Sequence, residues 1–224
     1  YPKRLFSKGT VLKQLMKAVM HRADALTCVS KDMVEQYRTV FDSPPHVDVY
    51  NIVDDASSRQ RMLEPVDEPW LLAGDGVPSL VAAGQLAPWK GFDTLILAMK
   101  ELLKTRQARL LILGDGPSRA DLEKMIVDNG LQSSVKLPGY VANPLKYYRN
   151  ADVFVLSSRV EGLPNVLVEA MMCGCTPVST DCPTGPREVL DGGKYGYLVP
   201  VDDPLAMAAA IAVGKKVALR LELD

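Results

Sequence analysis

One lysine, Lys90, is well placed in the sequence to bind a negatively charged ligand. Lys90 lies in the stretch Gly84–Gly91, which follows a short apolar run and precedes a helical pattern. A lysine beside a helix N-terminus can bind phosphate, because its ammonium group and the free backbone N–H groups point at one spot. The stretch lacks the G-x-x-x-x-G-K-[ST] pattern of a P-loop, and a lysine that only faces solvent remains the alternative.

A second candidate site is a helix start in the stretch Ser157–Ala170, which follows another apolar run. Pro164 fits the first position of that helix, where its missing N–H group costs nothing. The first-turn amides that should lack a partner are those of Leu163, Asn165 and Val166. These donors and the helix dipole favour an anionic ligand.

Two glutamates in the same stretch differ in their surroundings. Glu161 lies at the loop rim, where its carboxylate can accept hydrogen bonds from sugar hydroxyls. Glu169 lies further along, within an apolar part of the helical pattern. A carboxylate among apolar neighbours needs a hydrogen-bond partner, and either a protein donor or a ligand hydroxyl would serve.

A third loop, Gly114–Arg119, begins like a dinucleotide-binding fingerprint but departs from it. Arg119 stands where the third glycine of G-x-G-x-x-G belongs, and no acidic residue ends a strand about 20 positions later. We therefore reject a dinucleotide site and predict a tight turn with Pro117 at the start of a helix.

These loops need a scaffold that brings them together. From Ser79 onward, short apolar runs alternate with amphipathic helical patterns, which is typical of a parallel sheet with helices on both faces. The predicted strands are Leu80–Ala83, Leu110–Leu113, Val135–Leu137, Val153–Leu156, Pro177–Ser179 and Tyr197–Val199. The predicted helices cover Phe92–Leu103, Leu122–Ile126, Pro164–Met172 and Leu205–Val213. The fold class is thus α/β with a Rossmann-like sheet, and such sheets bind ligands at the carboxyl ends of their strands.

The chain before Ser79 is organised differently. Residues 1–53 have a helix, strand, helix, strand pattern. The predicted elements after the first helix are Ala25–Val29, Lys31–Tyr37 with Ser30 as its cap, and Val47–Tyr50. Residues 54–78 are rich in Asp, Ser, Arg, Pro and Gly, which predicts a linker. We therefore divide the chain into units 1–53, 54–78 and 79–213 and an atypical or truncated tail, 214–224.

The composition is that of an ordinary globular protein and excludes several other classes. Of the 224 residues, 47% are hydrophobic and 24% are charged, which argues against disorder. The net charge of −1 shows no basic excess, so no nucleic-acid partner is predicted. No apolar run reaches the roughly 18 residues that span a bilayer. With 2 histidines and no C-x-x-C pair, a zinc site is nearly excluded, and the 4 cysteines are predicted to be reduced thiols in the cytoplasm.

Four ordered motifs resemble those of one enzyme family. The segment SSRVEGLPNVLVEAMMCG, at 157–174, resembles the E-x7-E signature of retaining glycosyltransferases of family 4, which have the GT-B fold. Glu161 and Glu169 are its two glutamates. The other segments are AAGQL followed by KG at 82–91, LILGDGP at 111–117 and DCPTGPRE at 181–188. The resemblance runs from about Ser79 to Ala212 and more loosely back to Ala23.

The resemblance implies an enzyme with two Rossmann-like domains that face each other across a cleft. The C-terminal domain would bind a nucleotide sugar, with UDP-sugar as the expected donor, and the N-terminal domain would bind most of a glycan or lipid-linked acceptor. The sugar would be transferred with retention of configuration, in the synthesis of cell-surface polysaccharide. Residues 79–213 resemble the donor domain and residues 1–53 a remnant of the acceptor domain. The chain begins without Met, so we expect a piece of a longer protein that by itself binds nucleotide sugar without transferring it.

The resemblance also assigns roles to individual residues. Lys90 would contact the donor diphosphate, Glu161 the sugar hydroxyls near the reacting carbon, and Glu169 the ribose, which makes Lys90 and Glu161 the expected catalytic residues. Residues 162–166 would hold the sugar and the diphosphate through their amides, and residues 139–141 would lie near the base. The expected donor-binding residues are Gly84, Gln85, Lys90, Gly114, Tyr140, Val141, Glu161, Gly162, Leu163, Pro164, Asn165, Val166 and Glu169. No metal or other cofactor is expected, because positive groups and helix N–H donors would stabilise the leaving diphosphate.

Two features depart from the family. Gln85 stands where the family commonly has arginine, and an amide can donate a hydrogen bond but neutralises no charge. Donor affinity is therefore expected to be weaker. The tail from Gly214 does not resemble the family's closing helices.

Two further alternatives concern the whole protein. Because lipid-linked acceptors are common in the family, the whole protein could associate peripherally with the inner face of a membrane. Five basic residues near the N-terminus form a weak pattern that agrees with membrane association: Lys3, Arg4, Lys8, Lys13 and Lys17. A solvated helix face explains this pattern better. A GT-B epimerase or phosphorylase is disfavoured by the E-x7-E spacing.

Overall fold

The computed structural model describes residues 10–41, 44–53 and 55–214. The predicted tail beyond Gly214 therefore lies outside the described residues. The same holds for three positions of the basic pattern, Lys3, Arg4 and Lys8.

The N-terminal part forms a small helix–strand–helix–strand unit, as predicted. Its elements are α1 (Thr10–Met20), β1 (Thr27–Cys28), α2 (Lys31–Phe41) and β2 (Val47–Asp48). The two strands pair in parallel and are shorter than the sequence predicted. Ser30 caps α2 as predicted, since the Met33 backbone N–H donates to Ser30 Oγ at 3.3 Å.

The segment predicted to be a linker contains two short helices, α3 (Ala56–Met62) and α4 (Pro69–Leu72). Each is capped by an acidic side chain: Asp55 accepts from the Ser58 N–H at 2.6 Å, and Glu68 accepts from the Trp70 N–H at 3.2 Å. Met62 is buried in the core. Helices this short give no periodic apolar signal, which is why their polar composition predicted only a linker.

A six-stranded, fully parallel sheet is the centre of the remaining chain. Its strands are β3 (Ser79–Ala83), β4 (Arg109–Leu113), β5 (Val135–Gly139), β6 (Val153–Leu156), β7 (Thr176–Thr180) and β8 (Tyr197–Val199). Their order is β5-β4-β3-β6-β7-β8. All of the predicted strands after Ser79 are confirmed, because strands buried on both faces give continuous apolar runs.

Helices cover both faces of this sheet. They are α5 (Phe92–Leu102), α6 (Arg119–Asp128), α7 (Leu145–Asn150), α8 (Asn165–Met172), α9 (Pro186–Val189) and α10 (Pro204–Val213). Alternate residues of β3 enter different cores: Leu80 and Ala82 pack with α5, α6 and α10, whereas Val81 and Ala83 pack with α7 and α8. The sequence predicted four of these helices and missed α7 and α9.

One predicted helix start is wrong by two residues. The sequence placed Pro117 at the start of α6, but the helix begins at Arg119 with Ser118 as its N-cap. Arg119, in the place of a third glycine, donates to Asp115 at 3.0 Å and to the carbonyl oxygens of Gly114 and Leu137, both at 3.3 Å. These bonds join the carboxyl ends of β4 and β5.

Candidate functional site

The strand order of the sheet reverses between β3 and β6, which are neighbours in space but not in sequence. Such a reversal opens a crevice at the carboxyl ends of the strands, where ligands bind in open α/β sheets. Lys90 ends a 3-10 turn, Pro88–Lys90, in the loop after β3. Glu161 lies in the loop between β6 and α8. The fold therefore brings two residues that are far apart in sequence to the same crevice.

Lys90 and Glu161 form an ion pair at this crevice. Lys90 Nζ donates to Glu161 Oε1 at 2.6 Å, and the two side chains are only 18% and 11% exposed. Ser158 Oγ donates to the same carboxylate oxygen at 2.6 Å. The backbone carbonyl of Glu161 accepts a hydrogen bond from the Thr184 hydroxyl. An ammonium has three donors, so Lys90 can keep Glu161 and still bind an anion.

Glycines let the loops of the crevice approach each other closely. Gly91 has φ +63°, and a Cβ atom there would lie 2.0 Å from the carbonyl oxygen of Ser157. A Cβ on Gly114 would lie 2.0 Å from the carbonyl oxygen of Gly84. Any side chain at either position would force the loops apart. Ser157 Oγ also donates to the Lys90 carbonyl at 2.8 Å, which fixes the loop that carries Lys90.

A cavity of about 370 Å³ opens near this ion pair, since a Cβ atom on Gly84, which lines the cavity, would lie 3.5 Å from Lys90 Cε. We call it the switch-point cavity. Its lining residues are Ala83, Gly84, Gln85, Leu113, Gly114, Asp115, Tyr140, Val141, Pro144, Tyr148 and Val166. Six of them are among the donor-binding residues that the family resemblance implies: Gly84, Gln85, Gly114, Tyr140, Val141 and Val166. Tyr140 and Gln85 are exposed at the mouth, whereas Tyr148 is fully buried.

The start of α8 differs by one residue from the prediction. Pro164 is the N-cap rather than the first helical residue, and α8 begins at Asn165. With φ −77° and ψ 86°, Pro164 forms a tight turn in which the Asn165 N–H donates to the Leu163 carbonyl at 3.0 Å. The prediction that the Asn165 amide lacks a partner is therefore wrong. The amides of Leu163 and Val166 have no partner within the described part of the chain.

Glu169 has the surroundings that its apolar neighbours predicted. It lies one turn after Val166 on α8, and its carboxylate makes no hydrogen bond to any described residue. Burial raises the pKa of Glu169, and the positive charge of Arg61 partly opposes this shift. The sequence left open whether a protein donor or a ligand meets this carboxylate, and the structure supplies no protein donor among the described residues.

The N-terminal unit contacts the site loops through Glu188 on α9. The backbone N–H groups of Lys31 and Asp32, at the start of α2, donate to the two Glu188 oxygens at 3.1 Å each. The Tyr50 hydroxyl donates to the same carboxylate. Burial alone would raise the pKa of Glu188, but the hydrogen bonds that its carboxylate accepts have the larger effect and lower this pKa. The hydrogen bond to Glu188 raises the pKa of Tyr50 to about 12. We call these four residues the Glu188 contact.

Further contacts of the N-terminal unit reach the loop that follows Glu161. Ser30 Oγ donates to the Gly162 carbonyl at 3.4 Å, and Asn51 Nδ2 donates to Asn165 Oδ1 at 3.0 Å. The unit therefore contacts two of the expected donor-binding residues directly.

Several residues of the site were not found from the sequence. Ser158, Thr184 and Glu188 stood inside the quoted motifs without an assigned contact, and Tyr148 lies on a helix that the sequence did not predict. Ser158 and Thr184 could have been found in part from the sequence, because both lie just after the carboxyl end of a strand, where site residues are expected.

Within residues 10–41, 44–53 and 55–214, no three His, Cys, Asp or Glu side chains are grouped as a metal site. No helix in the same residues is long and apolar enough to span a membrane. The four cysteines all lie within the described residues and are buried, and none is joined to another by a disulfide.

Residues 77–213 match the family model described as "Glycosyl transferases group 1". The chain belongs to this family. It is 32% identical over 211 residues to the N-acetylgalactosamine-N,N'-diacetylbacillosaminyl-diphospho-undecaprenol 4-alpha-N-acetylgalactosaminyltransferase of Campylobacter jejuni, covering 92% of this chain and 54% of that protein. It is also 32% identical over 218 residues to the GDP-mannose-dependent alpha-(1-6)-phosphatidylinositol monomannoside mannosyltransferase of Mycolicibacterium smegmatis, covering 90% of this chain and 55% of that protein. The chain thus spans about half the length of these relatives.

The fold of this group 1 chain matches that of solved glycosyltransferases with the GT-B fold. Staphylococcus aureus TarM, solved with UDP and alpha-GlcNAc-glycerol, superposes with a TM-score of 0.75 at 21% identity, covering 89% of this chain and 38% of TarM. Anabaena Alr3699/HepE, solved with UDP and glucose, gives a TM-score of 0.73 at 21% identity, covering 92% of this chain and 57% of that chain. The predicted α/β class with a parallel sheet is confirmed.

Proposed function

We propose that the whole protein is a retaining glycosyltransferase of family 4 that transfers a sugar from a UDP-sugar to a glycan or lipid-linked acceptor. Relatives named for lipopolysaccharide core and amylovoran biosynthesis support a role in cell-surface polysaccharide synthesis. UDP is present in both solved neighbours compared above. The relative named as GDP-mannose-dependent makes GDP-sugar the competing donor.

The observation that carries this proposal is the Lys90–Glu161 pair, 2.6 Å apart beside the switch-point cavity. In the proposed complex the base and ribose occupy the cavity, with the ribose on Glu169. The diphosphate lies between Lys90 and the start of α8, where the amides of Leu163 and Val166 have no partner among the described residues. Glu161 accepts hydrogen bonds from the donor sugar near its reacting carbon.

In the proposed reaction the configuration at the sugar C1 is retained. The bond between the sugar C1 and the diphosphate oxygen breaks while the acceptor hydroxyl attacks C1 from the same face. The departing diphosphate takes up the proton of that hydroxyl. Lys90 and the helix N–H donors stabilise the negative charge that develops on the leaving group. We therefore propose that no metal cofactor takes part. UDP affinity should then be the same in the presence of excess chelator.

The residues that this chain lacks relative to its relatives would supply most of the acceptor site. We propose that the whole protein acts in the cytoplasm, at the inner face of the membrane that holds a lipid-linked acceptor. The Campylobacter relative, whose name specifies an undecaprenol-linked acceptor, supports this.

The Lys90→Ala variant tests the proposed donor site. Loss of the ammonium group should weaken UDP binding by about tenfold or more in calorimetry, because charge-assisted bonds to phosphate are strong. Lys124→Ala is the matched control, since Lys124 is an exposed lysine on α6 that pairs with Asp128. Equal UDP affinities for the Lys90→Ala variant and the unmodified chain would refute the phosphate assignment.

A further inference from the structure

The hydroxyl of Tyr148 is a buried polar group without a partner. Tyr148 on α7 is 0% exposed, and its Oη atom makes no hydrogen bond to any described residue. The ring packs edge-on against Phe154, with centroids 5.1 Å apart and an interplanar angle of 76°. Cys175 Sγ donates to the Tyr148 carbonyl at 2.8 Å, which also holds the backbone in place. A buried hydroxyl without a partner destabilises the fold, and a partner that forms with a bound ligand would remove this cost.

Tyr148 lies on the wall of the switch-point cavity, together with Val166 of α8. Glu169 is three residues after Val166, so both side chains are on the same face of α8. The carboxylate of Glu169 also makes no hydrogen bond to a described residue. The helices that carry the two groups, α7 and α8, pack against each other. Burial raises the pKa of Tyr148 well above its ordinary value, and the charge of Glu169 adds to this shift.

A ligand in this cavity would change the hydrogen bonds that the Tyr148 hydroxyl and the Glu169 carboxylate need. The Glu169 carboxylate is half-buried in the free chain. A nucleoside would exclude the remaining water and leave the carboxylate in need of donors. A carboxylate can accept about four hydrogen bonds, which is enough for ribose hydroxyls and for one protein donor. Among the described residues that line the cavity, Tyr148 supplies a hydroxyl that is not otherwise engaged.

We propose that Tyr148 is a positioning residue for Glu169. When a nucleoside diphosphate enters the cavity, the Tyr148 hydroxyl donates to one oxygen of the Glu169 carboxylate. That bond orients the carboxylate so that the other oxygen accepts the ribose hydroxyls. The inference rests on the proposed binding of ribose by Glu169 and adds a residue that acts through it.

The Tyr148→Phe variant tests this role because it removes only the hydroxyl. We expect the affinity of the 224-residue chain for UDP, measured by calorimetry, to fall about tenfold, which corresponds to about 1.4 kcal/mol. The melting temperature of the free variant should be unchanged or higher, since a buried unpaired group has been removed. Tyr147→Phe is the matched control, because Tyr147 is the adjacent half-buried tyrosine and does not line the cavity; its UDP affinity should not change.

A double-mutant cycle with Glu169→Ala separates positioning from direct contact. If Tyr148 acts through Glu169, Tyr148→Phe should cause no further loss of UDP affinity in the Glu169→Ala background. Independent, additive losses would overturn the positioning role. A lower melting temperature of the free Tyr148→Phe chain would also overturn it, because the hydroxyl would then have a partner without ligand.

The Lys90→Ala variant distinguishes failure of this inference from failure of the proposed function. If Lys90→Ala weakens UDP binding and Tyr148→Phe does not, only the role of Tyr148 is overturned. If the unmodified chain binds no UDP, the proposed donor and the role of Tyr148 are both overturned.

Discussion

The Lys90–Glu161 ion pair places opposite charges where the proposed diphosphate would meet the chain. Both side chains are largely removed from water, so loss of either partner would leave the other charge uncompensated. In the free chain Glu161 pairs with the Lys90 ammonium group, which is the positive charge that a diphosphate would also bind. A second cation near the mouth of the cavity would relieve this competition, and Gln85 occupies the place where the family commonly has one.

The Gln85→Arg variant should therefore bind UDP several-fold more tightly than the unmodified chain. Gln85 is exposed at the mouth of the switch-point cavity, so the longer side chain has room to reach a bound phosphate. A charge-assisted hydrogen bond is roughly twice as strong as a neutral one. Calorimetry at two salt concentrations measures the effect, which should shrink at high salt.

Gln107→Arg is the control for this substitution, since Gln107 is exposed in the segment before β4 and does not line the cavity. This variant adds the same positive charge as Gln85→Arg, but away from the cavity. A similar gain in UDP affinity from both variants would mean that overall charge, rather than the position of Gln85, causes it.

At the scale of elements, the Glu188 contact joins α2 to the loops of the sheet. The start of a helix has N–H groups without intrahelical partners, and here a carboxylate from α9 satisfies two of them. The negative charge also suits the positive end of the helix dipole. Because Ser30 and Asn51 contact Gly162 and Asn165, docking of α2 and order in the donor loop should be linked.

Glu188→Gln should weaken this docking, because an amide can accept with only one of its two ends. We expect a loss on the order of 1 kcal/mol at pH 7, read as a lower melting temperature. Amide hydrogen exchange should become faster both at the start of α2 and in residues 162–166. Faster exchange confined to α2 would show that the loop is ordered independently of docking. Glu101→Gln is the control, because Glu101 lies on α5 and pairs with Lys104 just after that helix.

The same contact predicts a pH dependence. The pKa of Glu188 in the folded chain is lowered, so its contribution to stability is present above the ordinary pKa of a glutamate and is lost as pH falls through the lowered value. The difference in melting temperature between the unmodified chain and Glu188→Gln should therefore shrink in acid. A difference that stays constant from pH 7 down to about 3 would show that the charge of Glu188 is not what holds α2.

At the scale of the whole molecule, the described chain is a sheet domain with a small N-terminal unit docked on its carboxyl edge. It spans 54% and 55% of the two relatives compared above. The division into an acceptor remnant, a linker and a donor domain stays a prediction, although α3 and α4 show that the predicted linker is partly helical and packs on the sheet domain.

The 224-residue chain alone should bind UDP but transfer no sugar. We propose that most of the acceptor site lies in the part of the relatives that this chain does not cover. The switch-point cavity and the ion pair lie within the described residues. Incubation with labelled UDP-sugars and lipid-linked acceptors, followed by product detection, measures transfer. Transfer by the chain alone would contradict this prediction, and transfer by the full-length protein is the positive control.

The sequence by itself determined the strands of the sheet and the candidate residues Lys90, Glu161 and Glu169. Strands β3 to β8 could be predicted because burial on both faces requires continuous apolar runs, which are a local property of the chain. Lys90 and Glu161 were singled out because ligand-binding loops follow strands at their carboxyl ends, and Glu169 because a carboxylate among apolar residues needs a partner. The roles of all three stay predictions. The short helices α7 and α9 give no such periodic signal, and the sequence missed both.

Only the tertiary structure decided which groups meet. The reversal of strand order between β3 and β6 brings Lys90 to Glu161, 71 residues apart, and docking of α2 brings Lys31 to Glu188, 157 residues apart. The fold also buries the Tyr148 hydroxyl on the wall of the cavity, where no described residue is its hydrogen-bond partner. Apolar periodicity specifies which face of an element is buried, but contacts between distant polar groups depend on how all the elements pack.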